Sequence, residues 1–109
     1  VLIVVFACKA DCPDTRNTKV KILIRELKKY GINPDIYDPI ISKEKVDLEI
    51  KTNFYCDLPI KKYKAIIVAV SHQETREFSK EKWLNLMEEP KILFDLTNTV
   101  PRELTSFRL

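Results

Sequence analysis

The chain has 109 residues, with 19 Lys and Arg against 16 Asp and Glu and a net charge of +3. That length fits a single domain over residues 1–109, and it is short for a complete two-substrate enzyme. The small charge excess is scattered along the chain, and no apolar run approaches the roughly 20 residues of a membrane span. We therefore expect neither a nucleic-acid nor a membrane partner.

The cysteine count and the first residue bear on the cellular compartment of the protein and on whether the chain is part of a longer polypeptide. Cys8, Cys12 and Cys56 form an odd set without a secretory signal, so we expect reduced thiols, a cytoplasmic protein and no metal site. Val1 stands where a methionine would begin a complete chain, and a core strand follows at once. This suggests a fragment of a longer polypeptide.

The first half of the chain predicts a strand, a turn, a helix and a second strand. Residues 2–6 form an apolar run typical of a strand covered on both faces, and Asp35-Ile36-Tyr37 predicts the next strand. Gly31 is a helix stop. The helix before it is predicted by apolar residues at helical spacing: Val20, Leu23, Ile24, Leu27 and Tyr30.

The second half is irregular at first. Residues 42–60 predict a short helix near 43–48 and a short strand around 49–50, and residues 65–70 form the clearest strand. The last strand is expected at 91–96, and the tail from Thr97 has no clear pattern.

A second helix is predicted between these last strands. Ser79 is expected to cap it, Phe78 and Trp83 stand at the positions of a hydrophobic staple, and Pro90 is expected to end it. Trp83 and Met87 are expected in the core.

Strands that alternate with helices predict a three-layer, doubly wound and mostly parallel α/β sheet. Ligands of such sheets lie beyond the carboxyl ends of the strands. The fold is therefore Rossmann-like, but it lacks the G-x-G-x-x-G fingerprint, because Gly31 is the only glycine in the chain. We expect no NAD on this domain alone.

The turn before the first helix is a candidate anion site. Lys9 and Arg16 flank it, and free N–H groups at a helix N-terminus favour a phosphate or diphosphate. The alternative is a solvated lysine and an arginine paired to Asp14 or Asp11.

Two further polar residues follow predicted strands. His72 either contacts a ligand or is held by a hydrogen bond in its loop, and Asp95 either orients a neighbour or caps a loop.

A thiol phosphatase or phosphocarrier is a weaker alternative. Its phosphate loop needs Cys and Arg separated by five residues, so that one backbone cradle holds the phosphate. Seven residues separate Cys8 from Arg16 and three separate Cys12 from Arg16, so neither pair fits.

Several segments carry a family resemblance over nearly the whole chain. They are Lys9, Asp11 to Val20, Leu27 to Gly31, Ile36-Tyr37-Asp38-Pro39, Ile66 to Val70 with His72, and Phe94-Asp95. In this order they resemble the C-terminal, UDP-binding domain of the UDP-glucose/GDP-mannose dehydrogenase family. The Cys-Pro-Asp-x-Arg-Asn turn resembles the branch that acts on UDP-N-acetylhexosamines for surface polysaccharides.

The resemblance implies a role in NAD-dependent oxidation of a UDP-sugar to a UDP-uronic acid. Other domains of the same homodimeric enzyme would hold NAD and the catalytic cysteine, so no catalytic residue is expected here. Lys9 matches a lysine that contacts the nucleotide sugar, and Arg16 matches the arginine of the Asp-x-Arg turn. Cys8, Asp14, His72 and Asp95 are expected as further loop contacts.

Three positions depart from the family pattern. Val5 replaces a glycine, Cys8 replaces a phenylalanine, and Thr97 replaces an arginine. A lost cation implies weaker phosphate binding. Either the chain has diverged with reduced affinity, or it is an intact variant that uses other groups. An alternative hypothesis, from a different functional class, is a non-enzymatic α/β module that binds a protein partner.

Overall fold

A six-stranded parallel sheet is present within residues 1–4, 18–39 and 52–108, the part of the chain that the computed structural model describes. The spatial order is β3-β2-β1-β4-β5-β6, and every neighbouring pair is parallel. The strands are β1 (Leu2–Val4), β2 (Asp35–Tyr37), β3 (Phe54–Tyr55), β4 (Tyr63–Val68), β5 (Met87–Asp95) and β6 (Phe107–Arg108). The predicted parallel α/β fold is confirmed.

The apolar run at the start of the chain forms the centre of the sheet. Leu2, Ile3 and Val4 are each 0% exposed, and β1 pairs with β2 on one side and β4 on the other. A strand covered on both faces needs apolar side chains at every position, which explains the absence of alternation in this segment.

Helix α1 (Thr18–Lys29) joins β1 to β2. Val20 and Ile24 are buried, one turn apart on the face toward the core. Gly31 has a φ of 77°, and its N–H donates to the Lys28 carbonyl at 3.0 Å. A residue without Cβ adopts this left-handed conformation at little cost, so the predicted helix stop is confirmed.

Helices lie on both faces of the sheet. The chain moves one way along the sheet from β1 to β2 and the opposite way from β4 to β5, so right-handed crossovers put α1 on one face and the later helices on the other. On the α1 face, a cavity of about 240 Å³ is lined by Leu23, Ile67, Phe94 and Leu96. The predicted three layers are therefore present.

The second crossover contains two short helices, α2 (Gln73–Arg76) and α3 (Lys80–Leu84). Ser79 caps α3, since its Oγ accepts from the Lys82 N–H at 3.2 Å. The rings of Phe78 and Trp83 lie 5.1 Å apart, as the predicted staple requires. Helix α2 spans four residues, too few for a helical period to be visible in the sequence.

The prediction that Pro90 ends a helix was wrong. Helix α3 ends at Leu84, and Pro90 lies within β5. The chain joins the sheet as early as Leu86, whose carbonyl accepts from the Tyr63 N–H at 2.7 Å. Tyr63 pairs with Met87 and Ala65 pairs with Ile92, so the register between β4 and β5 shifts at residues 88–91. This irregular part of β5 accommodates the proline.

Other boundaries moved by a few residues. The strand expected at 65–70 is β4, and the one expected at 91–96 is part of β5. The tail without a clear pattern contains a 3₁₀ turn (Arg102–Leu104) and β6. The helix expected near 43–48 and the strand near 49–50 lie outside the described residues.

Trp83 and Met87 are 0% and 3% exposed, so their predicted place in the core is confirmed. The helices in the described residues are too short or too polar to cross a lipid bilayer.

A buried carboxylate fastens the amino-terminal edge of the sheet. Asp35, at the start of β2, accepts hydrogen bonds from the Tyr63 hydroxyl at 2.7 Å, the Lys61 ammonium at 3.1 Å and the Asn53 amide at 3.2 Å. Burial alone would raise the pKa of Asp35, but these donors outweigh it and hold that pKa below its usual value. The ionised carboxylate therefore stabilises the folded chain.

We predict that Asp35→Asn lowers the free energy of unfolding at pH 7 by about 1–3 kcal/mol, because it removes a charged acceptor from three donors. The pKa of Asp35 is lower in the folded chain than in the unfolded one, so its contribution is present above the unfolded pKa and is lost as the pH falls through the folded pKa. Urea unfolding between pH 7 and pH 3 measures both effects. The variant should lose less stability on acidification than the parent, whereas Glu88→Gln, at an exposed position, should follow the parent curve. Equal acid sensitivity of parent and Asp35→Asn would contradict the assignment.

Candidate functional site

The carboxyl ends of five strands form one straight row. Val4 of β1 pairs with Tyr37 on one side and Val68 on the other, Tyr37 pairs with Tyr55, and Val68 pairs with Asp95. Polar residues follow this row in the chain, among them Asp38, Ser71, His72 and Thr97. In an open parallel α/β sheet, this edge is where ligands bind.

The predicted cationic turn follows β1 in the chain, but its residues lie outside the described part. Lys9, Arg16, Cys8 and Asp14 belong to residues 5–17, as do Val5, Asp11 and Cys12. The described residues on either side of that segment are Val4, in the last row of β1, and Thr18, the first residue of α1. The segment thus starts from the carboxyl edge of the central strand.

His72 is held inside the protein. Its Nε2 lies 3.1 Å from Oδ1 of Asp38, and both side chains are 0% exposed. The structure shows a hydrogen-bonded histidine, and its partner lies outside its own loop. Asp38 comes directly after β2, and His72 follows β4, so the contact joins two strands that are separated by β1.

Helix α2 is attached to the same place. The His72 carbonyl accepts from the Thr75 hydroxyl at 2.8 Å and from the Arg76 N–H at 3.1 Å. The Tyr37 hydroxyl donates to a carboxylate oxygen of Glu74 at 3.2 Å. Burial and the nearby charge of Glu74 raise the pKa of Tyr37 above its usual value, so the hydroxyl stays protonated and remains a donor.

Asp95 organises the loop that follows β5. Its Oδ1 accepts from the N–H and the hydroxyl of Thr97, both at 3.0 Å, and its Oδ2 accepts from the Val100 N–H at 2.8 Å. The carboxylate is 0% exposed, so it caps the loop from within. The Thr97 hydroxyl also lies 2.6 Å from the Thr99 hydroxyl, so both of its contacts are within this loop.

Ser71 carries a buried hydroxyl with an unusual environment. The residue is 8% exposed, and within the described part of the chain its Oγ has no hydrogen-bond partner. Leaving a buried polar group unpaired costs about 1–3 kcal/mol. The Ser71 hydroxyl therefore adds nothing to the stability of the ligand-free protein.

The sequence did not single out the partners of His72 and Tyr37. Asp38 and His72 are 34 positions apart, and Tyr37 and Glu74 are 37 apart. A local pattern cannot relate residues at such distances. The available signal was topological, since residues that follow parallel strands meet at one edge.

A dinucleotide cofactor does not fit the described residues. In a dinucleotide-binding fold, an acidic residue near the end of the second strand accepts the ribose hydroxyls. Here Asp38 occupies that place but is fully buried against His72. Gly31 ends α1, and a Cβ built on it meets no atom within 4 Å, so this glycine does not allow close approach of a cofactor. The described residues also hold no group of three potential metal ligands.

The parallel sheet, its two helical layers and its polar carboxyl edge define a Rossmann-like α/β domain. Comparison with known proteins makes the family specific. Residues 2–102 match the model of the UDP binding domain of the UDP-glucose/GDP-mannose dehydrogenase family, and the chain belongs to that family.

Named relatives agree with this assignment. The chain is 36% identical over all 109 residues to UDP-N-acetyl-D-glucosamine 6-dehydrogenase of Salmonella typhi, and 33% identical over the same length to the enzyme of that name from Pseudomonas aeruginosa. It is 35% identical over 96 residues, 84% of its length, to Protein CapL of Staphylococcus aureus. The chain spans 26% of each of the first two relatives and 22% of the third. This family supports the nucleotide-sugar interpretation over the protein-interaction module.

We predict that Asp95→Asn destabilises the chain by about 1–3 kcal/mol, because an amide nitrogen would then face an N–H or O–H donor in a buried place. Thermal or urea unfolding measures the loss. Asp57→Asn, at an exposed position, should stay within about 0.5 kcal/mol of the parent. A stable Asp95→Asn protein would show that the loop does not depend on the carboxylate.

Ser71→Ala should leave the free energy of unfolding unchanged or raise it by about 1 kcal/mol, because it deletes a buried hydroxyl that has no hydrogen-bond partner among the described residues. Ser79→Ala is the contrasting variant and should lose about 1 kcal/mol with the cap of α3. Urea denaturation of both variants compares them directly. If Ser71→Ala were the less stable of the two, its hydroxyl would have a bonding partner after all.

Proposed function

We propose that this chain is the nucleotide-binding part of an NAD-dependent UDP-sugar 6-dehydrogenase, and that it holds the UDP moiety at the carboxyl edge of its sheet. The observation that carries the proposal is the family match over residues 2–102, the UDP binding domain. The row of strand ends from Tyr55 to Asp95 supports it, since this edge is where such folds bind ligands.

The relatives' names suggest the substrate class. Two of them are UDP-N-acetyl-D-glucosamine 6-dehydrogenases, so we propose a UDP-N-acetylhexosamine as the substrate and a UDP-uronic acid as the product. NAD and the catalytic cysteine would come from other domains of the same enzyme, consistent with the poor fit of a dinucleotide here. We further expect a cytoplasmic homodimer.

Two cations are proposed to hold the diphosphate. Lys9 and Arg16 belong to the segment that starts after Val4 in the last row of the central strand. The charges of the described residues at this edge indicate why these two cations would be needed. The described residues that follow these strand ends include the carboxylates of Asp38, Asp57, Glu74 and Asp95 as well as the cation of Arg76, so further cations would favour the binding of a diphosphate.

The role of this domain would be to bind rather than to react. Gripping the diphosphate, which is remote from the oxidised carbon, orients the sugar toward groups supplied elsewhere. Cys8, Asp14, His72 and Asp95 are proposed to shape the loops around the nucleotide. For His72 and Asp95 this role is indirect, because both side chains are fully buried.

The proposal predicts that UDP binds the 109-residue chain and that Lys9→Ala weakens binding about tenfold, the effect of losing one charge-assisted hydrogen bond. Backbone amide NMR shifts recorded during titration with UDP, UDP-N-acetylglucosamine and uridine measure it. Shifts should cluster on the carboxyl edge, around residues 71–77 and 95–100, and uridine should bind more weakly than UDP.

Lys62→Ala is the matched control. It removes the same charge from an exposed position beside Lys61 and Tyr63, at the amino-terminal edge of the sheet. This variant should bind UDP like the parent. If both variants lost the same affinity for UDP, the effect of Lys9→Ala would be explained by net charge alone. If no shifts appeared at about 1 mM UDP, the proposal would be rejected for this chain.

A further inference from the structure

The contact between Asp38 and His72 spans the central strand of the sheet. Asp38 follows β2 and His72 follows β4, and both strands are direct neighbours of β1. Adjacent strands lie about 4.8 Å apart, so the two residues belong to strands roughly 10 Å apart. Their 3.1 Å contact therefore ties the chain on both sides of the end of β1.

Breaking the contact between Asp38 and His72 would cost free energy. Both side chains are 0% exposed, and removing a hydrogen-bond partner from a buried carboxylate is costly. The Asp38 N–H also donates to the Tyr55 carbonyl at 3.0 Å, which fixes its backbone to β3. The His72 carbonyl is fixed by Thr75 and Arg76 of α2. Each partner of the contact is thus anchored to a different part of the edge.

A second contact runs parallel to the first. The Tyr37 hydroxyl, one residue before Asp38, donates to Glu74 two residues after His72, at 3.2 Å. The ring of Tyr37 also lies 6.4 Å from that of Phe78, which follows α2. The end of β2 is therefore attached to residues 72–78 by side-chain contacts on both sides of α2.

We propose that Asp38 and His72 are positioning residues of the nucleotide site. They would not touch the nucleotide, since both are fully buried, but they hold the loops after β2 and β4 in place on either side of the end of β1. Residues 5–17, with Lys9 and Arg16, begin at that strand end. This inference rests on the proposed function, because it concerns how the same site is kept in shape.

Calorimetric titration of UDP into variants of the 109-residue chain tests it. His72→Leu removes the hydrogen bond to Asp38 and should weaken UDP binding roughly tenfold. In His72→Gln, the amide nitrogen lies near the place of the imidazole Nε2 and can still donate to Asp38. This variant should recover the parent affinity within about threefold.

Tyr63→Phe is the matched control. It deletes a buried hydrogen bond to a carboxylate, the 2.7 Å contact with Asp35, at the opposite edge of the sheet. Urea unfolding of each variant gives the accompanying loss of stability. Tyr63→Phe should lose stability yet bind UDP within about twofold of the parent. If His72→Leu does not fold, His72→Asn takes its place, because its polar amide is too short to reach Asp38.

The outcomes separate the inference from the proposed function. If the parent chain does not bind UDP, the proposed function fails and the inference falls with it. If the parent binds and His72→Leu, or His72→Asn in its place, binds equally well, the inference alone is overturned. The inference also fails if Tyr63→Phe loses as much affinity as that variant, or if His72→Gln fails to recover it.

Discussion

Strand β1 pairs on both sides, and this pairing sets the positions of the other elements. Its three residues are 0% exposed, so their backbone N–H and C=O groups must find partners within the sheet. Parallel registry with β2 and β4 meets this need and brings Tyr37 and Val68 level with Val4. The carboxyl edge, and every polar group that follows it, takes its position from that alignment.

Buried carboxylates secure the sheet at both edges, with different consequences. Asp35 at the amino-terminal edge accepts from three side-chain donors, and Asp95 caps a loop through two backbone N–H groups and one hydroxyl. Asp38 instead contacts an imidazole from a distant part of the chain. Asp95 holds local structure, whereas Asp35 and Asp38 each connect β2 to β4 or to the residues that follow it, at opposite edges of the sheet.

Family membership and the structure together favour a division of labour. A domain whose second-strand carboxylate is sealed against His72 does not present it to a dinucleotide ribose. In the proposed function, cations from residues 5–17 hold a diphosphate at the same edge. Under that proposal, this domain contributes binding energy and the chemical step belongs to other domains.

Elements with local signals could be predicted from the amino-acid sequence. These are the apolar run of β1, the helical spacing and glycine stop of α1, and the serine cap and aromatic staple of α3. It also pointed to the family and to the functional edge. Only the tertiary structure decided that Pro90 lies in a strand and that Asp38 meets His72. Strand pairing and burial act between residues far apart in the chain, so local patterns carry no record of them.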